Sequence, residues 1–292
     1  MNLLCTHPGR HGDLLWALPT IRALAEKYGE PATLLISAKY GSDGFLDLLN
    51  QQPYLAAIRA TDWQIEESAP IHPRIPPTLP PADRIFHLGY TGWPSQSLPH
   101  ETALIAYRQL VDYGETRFDI DLDRPWITHR EQGRGQEIAI GFSDEYFELK
   151  YGLCELLDLQ WATDMQWDVC DHCGQDRPSD QLAYWPSARP GSRWETEARC
   201  RPASWIEAAQ TIAQAQVFLG CNSALHVLAV GLGKPCVIME PNPQRWNDIF
   251  WPLGKTGRVR LVLGGDGLPT FDARHTADTL REVLRGSTLP TA

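Results

Sequence analysis

Residues 217–239 constrain the fold of this chain more than any other stretch. The apolar run 217–220 leads into a turn of small and polar residues at 221–223, and a helical pattern then covers residues 224–232. A second apolar run follows at residues 235–239. Short apolar runs separated by one helix are typical of neighbouring parallel strands that are buried on both faces. The stretch therefore predicts a strand–helix–strand unit within a parallel sheet.

The beginning of the chain shows the same order of elements. Apolar residues 3–5 precede the turn-rich loop 6–12, and a helix is predicted from Asp13 to Tyr28, where Gly29 supplies the C-cap. The other predicted strands cover residues 33–36, 84–88 and 137–142, and the other predicted helices cover residues 45–49, 102–113, 153–157, 204–215 and 276–284. Strands that alternate with helices indicate an α/β fold with parallel sheets.

Chain length favours two domains of this kind. A chain of 292 residues is long enough for two domains of ordinary size. The stretch 124–136 is polar and carries two glycines, so we predict one Rossmann-like domain at residues 1–130 and another at residues 131–292. The last helix is a candidate to cross back to the first domain. Six prolines within residues 65–83 predict an extended loop, either a flap over a cleft or a surface tether.

Composition argues against several classes of protein. Hydrophobic residues make up 43% and charged residues 21% of the chain, as in globular proteins. The sequence has no apolar run long enough to span a bilayer and does not begin like a signal peptide, so we expect a cytoplasmic location. The net charge of −10 argues against a nucleic-acid partner, because phosphate backbones require clustered Lys and Arg.

The cysteines predict neither a disulfide framework nor a metal centre. Seven are too few for a disulfide scaffold at this length, and an odd number leaves at least one unpaired. Cys170 and Cys173 have the Cys-x-x-Cys spacing of a zinc site. Tetrahedral zinc needs two further ligands, and the sequence has no second pair of this spacing. We therefore predict no metal.

Two strand-to-helix turns carry the predicted chemistry, one in each domain, at residues 9–13 and 220–224. Ligands of open parallel sheets collect at the carboxyl ends of the strands, where the helices begin. A helix N-terminus offers unpaired N–H groups and a partial positive charge, which suit a diphosphate. We therefore expect the two turns to face each other across a cleft between the domains.

Both turns resemble the motifs of a known family. Residues 10–19, Arg-His-Gly-Asp-Leu-Leu-Trp-Ala-Leu-Pro, with Arg-Ala-Leu at 22–24, are similar to the opening motif of the ADP-heptose:lipopolysaccharide heptosyltransferases, glycosyltransferase family 9. The segment 215–235, which ends in Gly-Lys-Pro, resembles their second motif. The resemblance implies a GT-B architecture, in which two Rossmann-like domains face each other across a cleft and the second domain holds most of the donor.

The resemblance also implies an activity. It implies an inverting, metal-independent glycosyltransferase that needs no cofactor and moves a sugar from a nucleotide-activated donor to a hydroxyl of a glycan or small-molecule acceptor. The family's proposed general base corresponds to Asp13, which would take the proton of the acceptor hydroxyl. The candidate acceptor-side residues are His7, Arg10 and His11. The candidate donor- and phosphate-binding residues are Gly12, Lys150, Asn222, Ser223, Ala224, Leu225, His226, Glu240 and Arg245.

Several of these residues also have a purely structural interpretation. Asp13 is favourable in the first turn of any helix because of the helix dipole. Ser223 is a good N-cap residue whether or not it binds phosphate. One of the two histidines His7 and His11 is expected to be an exposed loop residue.

The second motif departs from the family pattern. Counting back from Gly-Lys-Pro at 233–235, residues 222–224 stand where the family has Asp-Thr-Gly, and Val227 stands where it has His. His226 comes one residue early, which is a rotation of about 100° around a helix. Three other functions therefore stay open: a glycosyltransferase of modified DNA bases, a non-catalytic nucleotide- or glycan-binding relative, and a nucleotide-sugar epimerase.

Overall fold

The computed structural model describes residues 2–7, 11–38, 44–62, 78–88, 124–129, 138–141, 162–165, 199–200, 204–221, 223–240, 259–263 and 272–287. Its strands are β1 (Leu3–His7), β2 (Ala32–Ser37), β3 (Leu55–Thr61), β4 (Arg84–His87), β5 (Ile138–Gly141), β6 (Ala162–Met165), β7 (Arg199–Cys200), β8 (Val217–Cys221), β9 (Cys236–Glu240) and β10 (Val259–Leu263). Its helices are α1 (His11–Tyr28), α2 (Phe45–Asn50), α3 (Trp205–Gln214), α4 (Ala224–Gly231) and α5 (Ala273–Ser287).

The described strands form two sheets in which every pairing is parallel. The first sheet has the strand order β3-β2-β1-β4, and the second has the order β10-β9-β8-β5-β6-β7. In the first sheet β1 lies between β2 and β4, and in the second β8 lies between β5 and β9. Both strands that precede the two turns are therefore interior strands. The predicted α/β class with two parallel sheets is confirmed.

Burial on both faces explains why the interior strands are mostly apolar. All five residues of β1 and all five of β8 are buried. Phe218 packs with the helices between the sheets, whereas its neighbours Val217 and Leu219 pack on the opposite face, in the cluster that includes Ala277 and Leu280 of α5. Successive strand residues point to opposite faces, so neither face of β8 tolerates a polar residue.

The two sheets are joined through a shared layer of helices. α1 packs against α4, α2 packs against α3, and one continuous apolar core contains residues from both sheets and from these four helices. Ile36 of the first sheet and Ile238 of the second both belong to this core. The two halves of the described chain therefore contact each other through buried helix surfaces.

Capping sets the helix ends. Ser204 caps α3 as predicted, because its Oγ accepts a hydrogen bond from the Glu207 N–H at 3.3 Å. Gly29 follows α1 with a φ of +68°, which agrees with the predicted C-cap. α5 begins three residues before its predicted start, because Asp272 Oδ1 accepts from the Arg274 N–H at 2.8 Å.

The strands β3, β6, β7 and β10 were not predicted from the sequence. β3 and β10 each stand at the end of the strand order of their sheet and carry an exposed arginine, Arg59 or Arg260, so the apolar pattern is interrupted. α5 packs against β8, β9 and β10. A crossing of the last helix to the first domain stays a prediction. The domain boundary at residue 130 also stays a prediction. The predicted helices 102–113 and 153–157 and most of the proline-rich loop lie outside the described residues.

Candidate functional site

The first turn begins at the carboxyl end of β1. His7, the last residue of this strand, is fully buried, and burial lowers its pKa from 6.5 to about 3, so the imidazole is neutral at physiological pH. α1 begins at His11, and Gly12 and Asp13 of its first turn are partly exposed. Asp13 therefore brings a carboxylate to the carboxyl edge of the first sheet.

The second turn begins at the carboxyl end of β8. Ser223 is the N-cap of α4 and has an extended backbone, with φ −148° and ψ 171°. His226 stands in the first turn of α4, and its Nδ1 accepts a hydrogen bond from the Ser223 backbone N–H at 3.1 Å. Burial lowers the pKa of His226 to about 3. A neutral imidazole that accepts at Nδ1 carries its proton on Nε2.

The two turns contact each other. A Cβ atom placed on Gly12 would lie 3.4 Å from Ala224 Cα and 3.5 Å from Ala224 Cβ, which is ordinary van der Waals contact. The first turn of α1 therefore lies directly against the first turn of α4. A ligand that reaches both turns lies beside this contact and not between Gly12 and Ala224.

Trp126, in the segment between the two sheets, connects α1 with α4. Its Nε1 donates to the Leu15 carbonyl of α1 at 3.1 Å. The backbone N–H groups of Trp126 and Ile127 both donate to the Gly231 carbonyl of α4, each at 2.9 Å. Pro19 lies four residues after Leu15 inside α1 and has no N–H, so the helix itself offers the Leu15 carbonyl no such donor. The tryptophan supplies the hydrogen bond that the proline removes.

The same segment is attached to the first domain by polar side chains. The Arg22 guanidinium donates to the carbonyl groups of residues 124 and 125, at 3.3 and 2.8 Å. Gln52 pairs with the backbone of Thr128 in both directions: its Oε1 accepts from the Thr128 N–H at 2.7 Å, and its Nε2 donates to the Thr128 carbonyl at 3.2 Å. Residues 124–129 therefore hold a fixed position between α1 and α4.

His11 lies in an aromatic cage at the contact between the two halves. Its ring centroid is 4.5 Å from that of Phe45 in α2 and 4.9 Å from that of Trp205 in α3. The side chain is 1% exposed, and His7 is 0% exposed. The expectation that one of these two histidines is an exposed loop residue is therefore wrong, because β1 extends to His7 and α1 already begins at His11.

The Gly-Lys-Pro segment supports the fold behind the second turn. Gly233 has a φ of +78°, a backbone conformation that favours glycine. Lys234 Nζ donates to the carbonyl of Ala215, the C-cap residue of α3, at 2.8 Å. Burial lowers the pKa of Lys234. The lysine thus caps the carboxyl end of a neighbouring helix, where a cation is favourable.

The structure brings together the predicted residues of the two turns: Gly12, Asp13, Ser223, Ala224, Leu225 and His226. Glu240 ends β9, the strand that pairs with β8, so its backbone lies at the same edge of the second sheet. The other predicted positions lie outside the described residues: Arg10, Lys150, Asn222, Arg245, Cys170 and Cys173. The roles of all these residues stay predictions.

Sequence reasoning missed two tryptophans of the site. The Trp16 ring of α1 lies 5.8 Å from the His226 ring and 5.9 Å from the Trp126 ring, measured between centroids. Trp126 is 1% exposed, although it belongs to the stretch that the sequence predicts to be a polar boundary. Pro19 was the available signal, since a proline inside a predicted helix requires an outside donor for the carbonyl four residues earlier.

Within the described ranges, no helix is both long enough and apolar enough to cross a membrane. The same ranges contain no group of three or more His, Cys, Asp or Glu side chains placed to hold a metal ion.

Two parallel-sheet domains joined through their helices, with a strand-to-helix turn from each at the junction, define the GT-B class of fold. No protein-family model and no curated protein matches the sequence. Solved structures do match the chain. The structure of a glycosyl transferase family 9 protein from Veillonella parvula matches over 98% of this chain and 97% of its own, at 11% identity and a TM-score of 0.65. ADP-heptose LPS heptosyltransferase II of E. coli matches over 99% and 100%, at 14% identity and a TM-score of 0.63.

A structure of a UDP-N-acetylglucosamine 2-epimerase also matches, over 97% of this chain and 88% of its own, at 11% identity and a TM-score of 0.50. The predicted GT-B architecture and the resemblance to the fold of glycosyltransferase family 9 are confirmed. At these identities the likeness concerns the fold.

Proposed function

We propose that this chain is a glycosyltransferase that moves a sugar from a nucleoside-diphosphate donor to a hydroxyl of a glycan or small-molecule acceptor, with inversion and without a metal or cofactor. The observation that carries the proposal is the junction of the two turns. Asp13 in the first turn of α1 and the N-terminus of α4 meet at the Gly12–Ala224 contact. The fold likeness to family 9 glycosyltransferases supports the same class.

Asp13 is the proposed general base. An acceptor hydroxyl is a weak nucleophile, and Asp13 would take its proton as the oxygen attacks the anomeric carbon of the donor. The bond from that carbon to the diphosphate breaks, and its electron pair leaves with the phosphate oxygen. Attack from the face opposite the leaving group inverts the configuration. The partial exposure of Asp13 is consistent with access to an acceptor.

The N-terminus of α4 is the proposed diphosphate site. The first N–H groups of a helix have no acceptor within it, and they carry the positive end of the dipole. The first turn of α4 contains no acidic residue, and His226 within it is neutral. The leaving diphosphate gains negative charge in the transition state, so such donors stabilise it. Lys150 and Arg245 remain proposed phosphate contacts, and a cytoplasmic location remains part of the proposal.

An epimerase is the second candidate, because the fold likeness includes a UDP-N-acetylglucosamine 2-epimerase. Both classes bind a nucleoside-diphosphate sugar, so binding alone does not separate them. An epimerised nucleotide sugar that forms without any added acceptor would favour the epimerase. A product that requires the acceptor would favour the transferase.

The test is a thermal-shift screen with ADP-, GDP-, UDP-, CMP- and dTDP-sugars and the free nucleotides. ADP comes first, since heptosyltransferase II is named for ADP-heptose. A ligand at 100 times its dissociation constant stabilises the protein by about 2.7 kcal/mol. We expect a selective shift that Ser223→Trp abolishes and Asp13→Ala retains. No shift with any nucleotide or nucleotide sugar would contradict the proposal.

A further inference from the structure

We propose that His226 is a positioning residue of the donor site: its Nδ1 holds the Ser223 amide and so fixes the turn on which a nucleoside diphosphate rests. The inference rests on the proposed function for the identity of the ligand. The hydrogen bond between the Ser223 N–H and His226 Nδ1, at 3.1 Å, is present in the structure and does not depend on that function.

The position of His226 explains why it reaches the turn. With Ser223 as N-cap, His226 is the third residue of the helix, the position from which a side chain reaches back to the N-cap N–H. The usual residue there is Glu or Gln. One residue further along, where Val227 stands, a side chain is rotated by about 100° and does not face this amide. His226 comes one residue earlier than the histidine of the family motif. This earlier position is the one from which its side chain can reach the N-cap amide.

The chemistry of His226 suits an anion site. A glutamate at this position would make the same hydrogen bond but would add a negative charge beside the diphosphate. The imidazole is fully buried and neutral, so it accepts the hydrogen bond without repelling phosphate. Because the Ser223 amide already donates to His226, the α4 amides considered for a phosphate are those of Ala224 and Leu225.

His226 also contacts the helix that carries the proposed base. Its ring lies edge-on to Trp16, with centroids 5.8 Å apart and planes at 62°. Trp16 follows Asp13 by three residues in α1, so the two lie on neighbouring turns of one helix face. His226 therefore links the cap of α4 to the helix that presents Asp13.

Two variants separate the hydrogen bond from the packing. His226→Phe keeps a ring against Trp16 but has no acceptor. His226→Asn keeps an acceptor at the same number of bonds from Cβ as Nδ1 but loses the ring. We expect His226→Phe to weaken nucleotide binding about tenfold or more and to raise the KM for the donor more than it lowers kcat. We expect His226→Asn to bind nucleotide within about threefold of the unmodified protein.

Hydrogen exchange of the Ser223 amide is the second readout, because it needs no ligand. We expect faster exchange in His226→Phe and slow exchange in the unmodified protein and in His226→Asn. Unchanged exchange in His226→Phe, or equal loss of nucleotide binding in both variants, would overturn the inference. Unchanged nucleotide binding in His226→Phe with faster exchange would overturn the donor-site role.

The outcomes also separate this inference from the proposed function. If the unmodified protein binds no nucleotide, the proposed function fails, and the exchange data still decide whether His226 holds the turn. If His226→Phe does not fold, nitrogen-15 NMR of the unmodified protein decides. A proton on Nε2 and none on Nδ1 supports the inference, and a proton on Nδ1 overturns it, since a protonated Nδ1 accepts no hydrogen bond.

Discussion

The first turn of α1 contains an acid, Asp13, whereas the first turn of α4 contains none. Both helices follow an interior strand that is buried on both faces, and both begin at the junction of the two domains. A carboxylate at a helix N-terminus offsets the positive end of the dipole, and a helix without one leaves it available. This difference supports the proposed division of the chemistry, in which α1 presents the base and α4 presents the anion site.

A buried histidine stands at each turn, and here too the two differ. His7 ends β1 before the first turn, and His226 lies inside α4 after the second. His226 holds the backbone of its own turn, because its Nδ1 accepts from the Ser223 amide. His11, the first residue of α1, is instead enclosed by Phe45 and Trp205. A hydrogen bond therefore fixes the second turn, and aromatic rings pack against the first residue of α1.

The largest expected effect tests the base at the first turn. Asp13→Asn keeps the size of the side chain but removes the carboxylate, so we expect kcat for sugar transfer to fall by about 100- to 10,000-fold with nucleotide binding unchanged. Asp47→Asn is the matched control, because Asp47 is an exposed acid in the first turn of α2. An equal loss in both variants, or full activity in Asp13→Asn, would contradict the assignment. Steady-state kinetics with the nucleotide sugar found by the screen provide the measurement.

The next effect tests the uncharged second turn. Ser223→Asp and Ser223→Asn both leave a good N-cap residue on α4, but only the first adds a negative charge. We expect Ser223→Asp to weaken nucleotide binding about tenfold or more, which is about 1.4 kcal/mol, with a smaller loss at high salt. Ser223→Asn is expected to change affinity little. Isothermal titration checks this, and equal affinities for the two variants would show that α4 does not bind the phosphates.

Acid unfolding tests His7 and His226, two buried histidines whose pKa values are lowered. Their folded pKa values of about 3 lie below the unfolded value of 6.5, so the unfolded chain binds more protons between these limits and stability is lost as the pH falls through that window. Each histidine contributes a slope of about 1.4 kcal/mol per pH unit. We expect His226→Asn to reduce the slope of the unfolding free energy against pH by that amount.

Urea unfolding at several pH values between 4 and 7 measures this slope. His275→Asn is the control, because His275 is exposed on α5. A slope that falls equally in both variants, or in neither, would contradict the prediction.

The smallest effect tests what holds the two turns in register. Trp126→Phe removes the donor to the Leu15 carbonyl, which costs about 1–3 kcal/mol if the carbonyl stays unsatisfied. In a Pro19→Ala background, residue 19 regains an N–H that can donate to the same carbonyl. We therefore expect Trp126→Phe to cost about 1 kcal/mol less in that background. A double-mutant cycle from denaturant unfolding gives this coupling, and a coupling of zero would show that the proline and the tryptophan act independently.

The amino-acid pattern predicts most of the interior strands and the caps of two helices. Short apolar runs within β1, β8 and β9 predict these strands, and Ser204 before an amphipathic run predicts α3. The edge strand β3 was missed, since a half-exposed strand with Arg59 at its surface has no continuous pattern. The spacing of apolar residues along one helix or strand indicates only which faces of that element are buried.

The contacts between the two turns, in contrast, depend on tertiary packing. The contact of Gly12 with Ala224, the cage around His11 and the hydrogen bond from Trp126 to Leu15 join residues that are far apart in the chain. His226 could be placed on a helix from the sequence, but its reach to Ser223 depends on where α4 begins, and the backbone of the cap fixes that point. Packing between distant residues and the exact first residue of a helix leave no local pattern in the sequence. The arrangement of the candidate site therefore could not be predicted from the sequence.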